Sequence, residues 1–240
     1  MVQGDDFPDA PLAPTVCELG PDLRESIARL GRSGWRAAQL AASGPHGLRP
    51  RAMTNSARRD LALTLRRADV MAAGLDVWIP VEHFEDDATV ERAIEAVQAA
   101  CGLAGELGRC PVTMRLPSTP LPADVQAAIG RSAGQAGVCI AAAGVAERPA
   151  WCIPCVDPPV YLEAGEDPVA AAANPLAAVR FCDLVDGVRG PPGAGGRLDV
   201  LAYRTACKVA APHRPVVADV RLLADPPAAL ATMRRVWNAA

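Results

Sequence analysis

Eight short apolar segments alternate with stretches of helical periodicity along nearly the whole chain. They are PTVCEL (14–19), RAAQLA (36–41), LDVWIP (75–80), PVTMRL (111–116), GVCIAA (137–142), PVYLEA (159–164), AVRFCD (178–183) and PVVADV (215–220). Continuous apolar runs are typical of parallel strands that helices cover. Eight such βα units predict an α/β protein, a single (β/α)8 TIM barrel with short loops. In this architecture the active site lies at the carboxyl ends of the strands.

Length and charge narrow the class of protein further. A chain of 240 residues, half of them hydrophobic, is long enough for one large core, and no linker divides it. We expect a barrel domain over residues 14–240 and a flexible segment over residues 1–13, which is rich in aspartate and proline. The net charge of −3, without a basic patch, argues against nucleic acid or a membrane as partner.

The N-terminal residues carry no signal peptide, and no apolar run is long enough to span a membrane. We therefore predict a cytoplasmic protein, in which the eight cysteines stay reduced. Cys17, Cys101, Cys139 and Cys182 lie within apolar patterns and are expected to be small buried hydrophobes. The oligomeric state is left open, a homo-oligomer included.

One cysteine pair matches a redox pattern. Residues 151–155, WCIPC, have the W-C-x-P-C form of thioredoxin-type sites, in which the first cysteine opens a long helix. Here Asp157-Pro158-Pro159 follows at once, which argues against that helix. A zinc site would need a second pair of ligands, which Cys110 alone does not supply. We interpret the segment as a turn with two neutral thiols against the barrel.

Acidic side chains fall at several predicted strand ends. Glu163, Asp183 and Asp219 close the sixth, seventh and eighth segments, and Glu82 and His83 follow the third. Carboxylates from neighbouring strands form an oxygen-rich site that suits Mn²⁺ or Mg²⁺. The alternative is that these acids cap the following helices or pair with arginines.

Four side chains are candidates for substrate binding at this face. They are His83, His46 in the loop after the second segment, Arg115 at the end of the fourth, and Arg189. Arg189 precedes the glycine-rich loop 190–196, and a guanidinium there is suited to a phosphate or carboxylate. We interpret the loop itself as a flexible lid. Ordinary exposed surface positions are the alternative for both histidines.

Three stretches carry a family resemblance. Residues 23–77, 88–108 and 196–220 resemble the xylose-isomerase-like TIM barrels of the sugar phosphate isomerase/epimerase family, through their helix faces and strand spacing. The resemblance implies a role in carbohydrate metabolism. It also implies one divalent metal ion held by Glu, Asp, His and Glu from successive later strands.

Carried over to this chain, the resemblance implies a degenerate metal site. The first ligand falls near Ala143, where no donor exists, and the second falls at Glu163, without the histidine of the usual Asp-x-x-His. The third falls at Asp183, where histidine is expected. The fourth falls at Asp219, one methylene shorter than glutamate.

The resemblance therefore implies two functions from different classes. The first is isomerisation or epimerisation of a small sugar or polyol, in which Mn²⁺, Mg²⁺ or Zn²⁺ polarises a carbonyl and a carboxylate moves the neighbouring proton. Glu163 would then serve as base or ligand, Asp183 and Asp219 as ligands, and Glu82 as a second catalytic or substrate-contacting acid. The alternative is a catalytically inactive relative, without a cofactor, that binds a ligand or a protein.

Overall fold

Eight parallel strands form one sheet. They are β1 (Leu12–Pro14), β2 (Ala37–Ala41), β3 (Met71–Val77), β4 (Val112–Arg115), β5 (Ile140–Ala143), β6 (Cys152–Val156), β7 (Ala178–Phe181) and β10 (Val216–Ala218). Their order in the sheet is β1-β10-β7-β6-β5-β4-β3-β2, and a parallel bridge between Thr15 and Gln39 joins its two edges. The computed structural model, which describes residues 10–44, 46–117, 120–144, 148–193 and 195–240, thus confirms the predicted barrel.

Helices connect the strands on the outside of the barrel. They are α1 (Leu23–Arg32), α2 (Asn55–Ala68), α3 (Val90–Glu106), α4 (Ala123–Ala136), α5 (Pro158–Ala164), α6 (Pro168–Ala172), α7 (Val200–Ala210) and α8 (Pro226–Ala239). Aspartates at the N-caps of α1, α7 and α8 accept a hydrogen bond from a backbone N–H three residues on. Such caps satisfy donors that a helix start otherwise leaves unpaired.

Two strand predictions need correction. The first strand lies at Leu12–Pro14, ahead of the predicted 14–19, and residues 16–18 form a 3-10 turn. The sixth predicted strand, 159–164, is wrong, because those residues belong to α5. Two prolines fit the first turn of a helix and Gly165 ends α5 in a left-handed conformation, so the run PVYLEA is helical.

The true sixth strand is the CxxC segment. Cys152–Val156 pairs in parallel with β5 on one side and with β7 on the other. Pro154 lies inside this strand, opposite Ala142, although proline lacks the N–H that a central strand donates. The segment is therefore a barrel strand and not the turn that the sequence suggested.

The barrel begins earlier than the predicted domain boundary. Ala10 is fully buried, and its N–H donates to the Pro212 carbonyl at 2.8 Å. Residues 10–13 thus belong to the barrel, whereas residues 1–9 of the predicted flexible segment lie outside the described residues. Over the described ranges, no helix combines the length and apolarity needed to cross a membrane.

The barrel wall separates two regions of different composition. Large apolar side chains such as Leu40, Leu75 and Ile140 join the main core with the helices. Ala13, Ala37 and Ala73, on β1, β2 and β3, form a separate small cluster. We place this cluster inside the barrel, where small side chains leave room for longer polar ones nearer the mouth.

A hairpin interrupts the regular alternation after β7. Strands β8 (Asp183–Val185) and β9 (Val188–Gly190) pair in antiparallel fashion, and Val185 also bridges to Gly196. The hairpin thus includes Gly190, the first residue of the loop that we interpreted as a flexible lid. Ala194 of that loop lies outside the described residues.

Candidate functional site

Six charged side chains meet at the carboxyl ends of the strands. We call them the mouth cluster: Asp76, Asp157, Asp219, Arg180, Arg189 and Arg221. They come from β3, from the residue after β6, from β7 and β9, and from two positions within three residues of the end of β10. Three carboxylates and three guanidinium groups balance, so the cluster carries no net formal charge.

Arg180 bridges two strands that are far apart in the sheet. Its Nη1 donates to Asp219 Oδ2 at 2.5 Å, and its Nη2 donates to Asp76 Oδ1 at 2.7 Å. Thr113 Oγ1 also donates to Asp76 Oδ1, at 2.5 Å. Arg180 is only 3% exposed, so its cation lies inside the barrel with the carboxylates.

Arg221 covers the same two carboxylates from the mouth. Its Nε and Nη2 donate to the two oxygens of Asp219 at 2.8 and 2.6 Å, and its Nη1 donates to Asp76 Oδ2. The guanidinium carbon lies 4.6 Å from the centre of the Trp78 ring, within the range of a cation–π contact. Trp78 itself is 44% exposed, which leaves much of its ring open to solvent.

Arg189 reaches the cluster from the hairpin. Its Nη2 donates to Asp157 Oδ2, and its Nη1 donates to Cys182 Sγ at 2.7 Å. Asp219 Oδ2 lies 3.5 Å from the same Nη1. The predicted substrate-binding residue thus has an internal carboxylate partner, so its charge is already compensated.

Burial and charge determine the protonation of this cluster. Burial raises the pKa of Asp219 to about 6, although Arg180 and Arg189 lower it. Burial by itself lowers the pKa of Arg180, but Asp76 and Asp219 raise it well above its usual value. Arg180 therefore stays a cation. Burial likewise raises the pKa of the Cys182 thiol, and Asp157 adds to that effect, so this thiol is neutral.

The structure does not bring the three predicted metal ligands together. Glu163 is exposed on α5 rather than at a strand end, because the sixth strand lies earlier in the chain. Asp183 is fully buried, and its Oδ1 accepts hydrogen bonds from the N–H groups of Leu184, Arg197 and Leu198. Asp219 belongs to the mouth cluster.

The remaining predicted site residues lie at the surface. Glu82 and His83 are exposed in a 3-10 turn after β3, and His46 is exposed in the loop after β2. Arg115 ends β4 as predicted and is also exposed. Their roles as catalytic or substrate-binding residues stay predictions.

The cysteines lack the surroundings of a redox site. All eight are free, and burial raises the pKa of Cys152 to about 12 and that of Cys155 above its usual value. The expected burial of Cys101 and Cys182 is confirmed, whereas Cys139 is exposed and Cys17 is half-buried. Because Cys152 begins a strand, no helix N-terminus stabilises its thiolate.

The donor set does not fit a divalent metal ion. Each carboxylate of the mouth cluster already accepts hydrogen bonds from a guanidinium group. A metal ion needs several open oxygen or nitrogen donors around one point. Across the described ranges, no group of three or more His, Cys, Asp or Glu is arranged to hold one.

Sequence reasoning missed four members of the cluster. Asp76 and Arg180 lie within apolar strands, and Asp157 and Arg221 follow the ends of β6 and β10. The available signal was a charged residue inside an apolar run, as in LDVWIP and AVRFCD. In a barrel, such a residue is accommodated where the strand faces the interior and a partner of opposite charge is present.

A pocket of about 430 Å³ opens beside the ends of β2 and β3. Its lining includes Ser43, Arg49 and Val77. Ser43 Oγ is buried and has no hydrogen-bond partner among the described residues, which exclude the neighbouring Pro45. Arg49 adopts a left-handed backbone conformation with φ of 49°, unusual for a residue other than glycine. A larger groove, about 570 Å³, lies outside the barrel between α1 and α8.

Solved structures of known proteins share this architecture. A xylose isomerase domain protein from Planctomyces limnophilus matches with a TM-score of 0.68 and 14% identity, over 97% of this chain and 95% of its own. The IolI protein, solved with a zinc atom, matches with a TM-score of 0.65 and 15% identity, over 94% of this chain and 95% of its own. A D-tagatose 3-epimerase-like protein matches with a TM-score of 0.63 and 14% identity, over 95% of this chain and 96% of its own.

Comparison of the amino-acid sequence with known proteins assigns no family and no function to the chain. No protein-family model matches the chain, and no curated protein matches it. Sequence identities this low support a shared fold but do not support a shared activity. The chain has the fold of the xylose-isomerase-like TIM barrels.

Proposed function

We propose that the protein binds a small sugar-like ligand at the carboxyl-terminal face of the barrel without isomerising or epimerising it through a metal ion. The observation that carries this proposal is the pairing of Asp76, Asp157 and Asp219 with arginines. A carboxylate held by a guanidinium group is not open to a metal ion. This favours the binding protein over the metal-dependent enzyme.

The rim pocket, the 430 Å³ pocket beside β2 and β3, supports a polar ligand of modest size. Its volume lies within the usual range for small-molecule sites. Ser43 offers a hydroxyl without a partner in the described part of the chain, and the positively charged residue Arg49 also lines the pocket. Both groups suit the hydroxyl, phosphate or carboxylate oxygens of a sugar derivative. The sugar-processing neighbours of this fold point to the same ligand class.

A binding screen tests the proposal. Neutral monosaccharides, polyols, sugar phosphates and uronates are added to the purified protein, with and without EDTA, and the melting temperature is followed. We expect at least one sugar derivative to raise it equally under both conditions. In D₂O, NMR of that ligand should show no deuterium entering the C–H beside the carbonyl.

Two variants locate the binding site. S43A removes the pocket hydroxyl, and R49N removes the guanidinium while asparagine tolerates the left-handed backbone. Each should weaken binding by about tenfold, the usual effect of losing a charge-assisted or otherwise unsatisfied hydrogen bond. R66A, on the exposed end of α2, is the matched control and should bind as the native protein does. Binding that EDTA abolishes, or turnover that Mn²⁺ restores, contradicts the proposal.

A further inference from the structure

Asp76 and Asp219 carry an electrostatic problem that the fold has to solve. Both are buried, at 4% and 0% exposure, and they come from β3 and from the end of β10. Two strands, β1 and β2, lie between them in the sheet. Two carboxylates buried near each other repel and lose their hydration, so they require a cation.

Arg180 supplies that cation from inside the barrel. It projects from β7, and its two terminal nitrogens donate to one oxygen of each carboxylate, at 2.5 and 2.7 Å. Its Nη2 lies 3.5 Å from Thr113 Oγ1. Arg180 thus lies in a ring of oxygen atoms from three different strand positions.

Arg180 also balances the charge of the cluster. With it, three aspartates face three arginines; without it, three carboxylates would face only Arg189 and Arg221, leaving one negative charge in excess. The guanidinium group is permanently charged, so Arg180 supplies its positive charge at any pH at which the protein folds.

We propose that the Arg180 guanidinium is a built-in cation that replaces a bound metal ion at the mouth of this barrel. A solved neighbour of the same fold contains zinc, whereas the described residues of this chain include no cluster fit for a metal. The internal cation explains that difference. It also makes a latent metal site of Asp76, Thr113 and Asp219, which is exposed when both guanidinium groups that hold the two carboxylates, those of Arg180 and Arg221, are removed. The inference is independent of the sugar ligand proposed for the rim pocket.

The test removes the guanidinium groups that hold the two carboxylates and supplies Mn²⁺ in their place. R180A/R221A is prepared in the full chain, and its melting temperature should fall by at least roughly 10 °C, as expected when buried charges lose their partners. MnCl₂ at 1 mM should recover several degrees, and Mn²⁺ titration followed by EPR should show binding at least tenfold tighter than in the native protein.

R214A is the matched control. Arg214 is also packed against the protein, but its guanidinium donates to the carbonyl oxygens of Ala172, Asn174 and Ala177. Mn²⁺ should therefore leave the melting temperature of R214A unchanged. A folded R180A/R221A that neither binds Mn²⁺ nor gains stability from it overturns the proposal, and so does equally tight Mn²⁺ binding by the native protein.

A second variant decides the case in which R180A/R221A does not fold. R180M/D76N removes one positive and one negative charge, which leaves two carboxylates facing two guanidinium groups. The proposal predicts a folded protein whose melting temperature lies above that of R180M alone. If R180M/D76N does not fold either, charge compensation is not the role of Arg180 and the proposal is overturned.

Discussion

At Gly196 the chain passes directly against the buried carboxylate of Asp183. A Cβ added at this position would lie 1.8 Å from Asp183 Oδ2 and 2.6 Å from its Cγ. Three backbone N–H groups donate to Oδ1 of this carboxylate, so moving it aside would break these hydrogen bonds. The glycine is therefore required by close approach, in the segment that leads from the hairpin to α7.

Substitution of this glycine should destabilise the protein. We expect G196A to lower the free energy of unfolding by about 2–3 kcal/mol, the usual effect of overpacking, in urea denaturation. G134A is the control, because Gly134 is exposed in α4 with no atom within 4 Å of the added Cβ. The control should gain about 0.5–1 kcal/mol from helix propensity. Equal stability of G196A and the native protein would show that the contact is not rigid.

The reactivity of Cys152 gives a second prediction at this scale. Burial raises its pKa to about 12, so the thiolate is scarce at neutral pH and grows more abundant up to that value. Its alkylation by iodoacetamide, followed by peptide mass spectrometry, should accelerate continuously from pH 7 to pH 10. A redox-active cysteine would instead reach a constant rate near neutral pH. A plateau below pH 8 contradicts the neutral thiol.

The charged residues that the sequence did not reveal as part of the site, Asp76 and Arg180, lie inside strands. The sequence indicates Asp219 as a candidate site residue because it lies near a predicted strand end, and Arg189 because it precedes the glycine-rich loop. Asp76 and Arg180 are not indicated, because side-chain alternation alone does not say which face of a strand looks into the barrel. Their pairing joins positions 104 residues apart, and a single sequence carries no signal for such a contact.

Among the elements, β6 and α5 show the limit of pattern recognition. A short apolar run such as PVYLEA fits either a buried strand or a buried helix. Pro158 and Pro159 open α5, as proline often opens a helix, although the run they begin was predicted to be a strand. Pro154 lies inside β6, although proline is disfavoured in a central strand, so this segment was predicted to be a turn. Strands β2, β4 and β7 carried clearer apolar runs, and their predicted positions are confirmed.

The hairpin β8–β9 is anchored by Arg189. Its guanidinium pairs with Asp157 and contacts Cys182, so R189A leaves a buried carboxylate without its cation. We expect a loss of about 2–3 kcal/mol in unfolding free energy, somewhat below the effect for a fully buried pair because Arg189 is partly exposed. Limited proteolysis should also cut residues 183–197 faster.

An exposed ion pair serves as control for the hairpin. Arg24 pairs with Asp60 at 2.5 Å, with side-chain exposures of 68% and 41%, so R24A should change stability by less than about 1 kcal/mol. If R189A and R24A have the same small effect, and the hairpin is cut no faster, the anchoring role of Arg189 is wrong.

For the whole molecule, the repetition of strands and helices predicted the barrel, whereas the chemistry of its mouth depends on contacts that the repetition does not specify. Each apolar run has to be buried, so the fold follows from local patterns added along the chain. The mouth cluster depends on side chains from β3, β7 and β9, and from the residues that follow β6 and β10, meeting at one end. The same fold therefore accommodates either open metal ligands or closed ion pairs.

The most direct test of this account is a crystal of the native protein soaked in MnCl₂ and measured near the manganese absorption edge. The account predicts guanidinium density between Asp76 and Asp219 and no anomalous peak within coordinating distance, about 2.2 Å, of their oxygens. An anomalous peak bound by these two carboxylates, with Arg180 displaced from them, would contradict it.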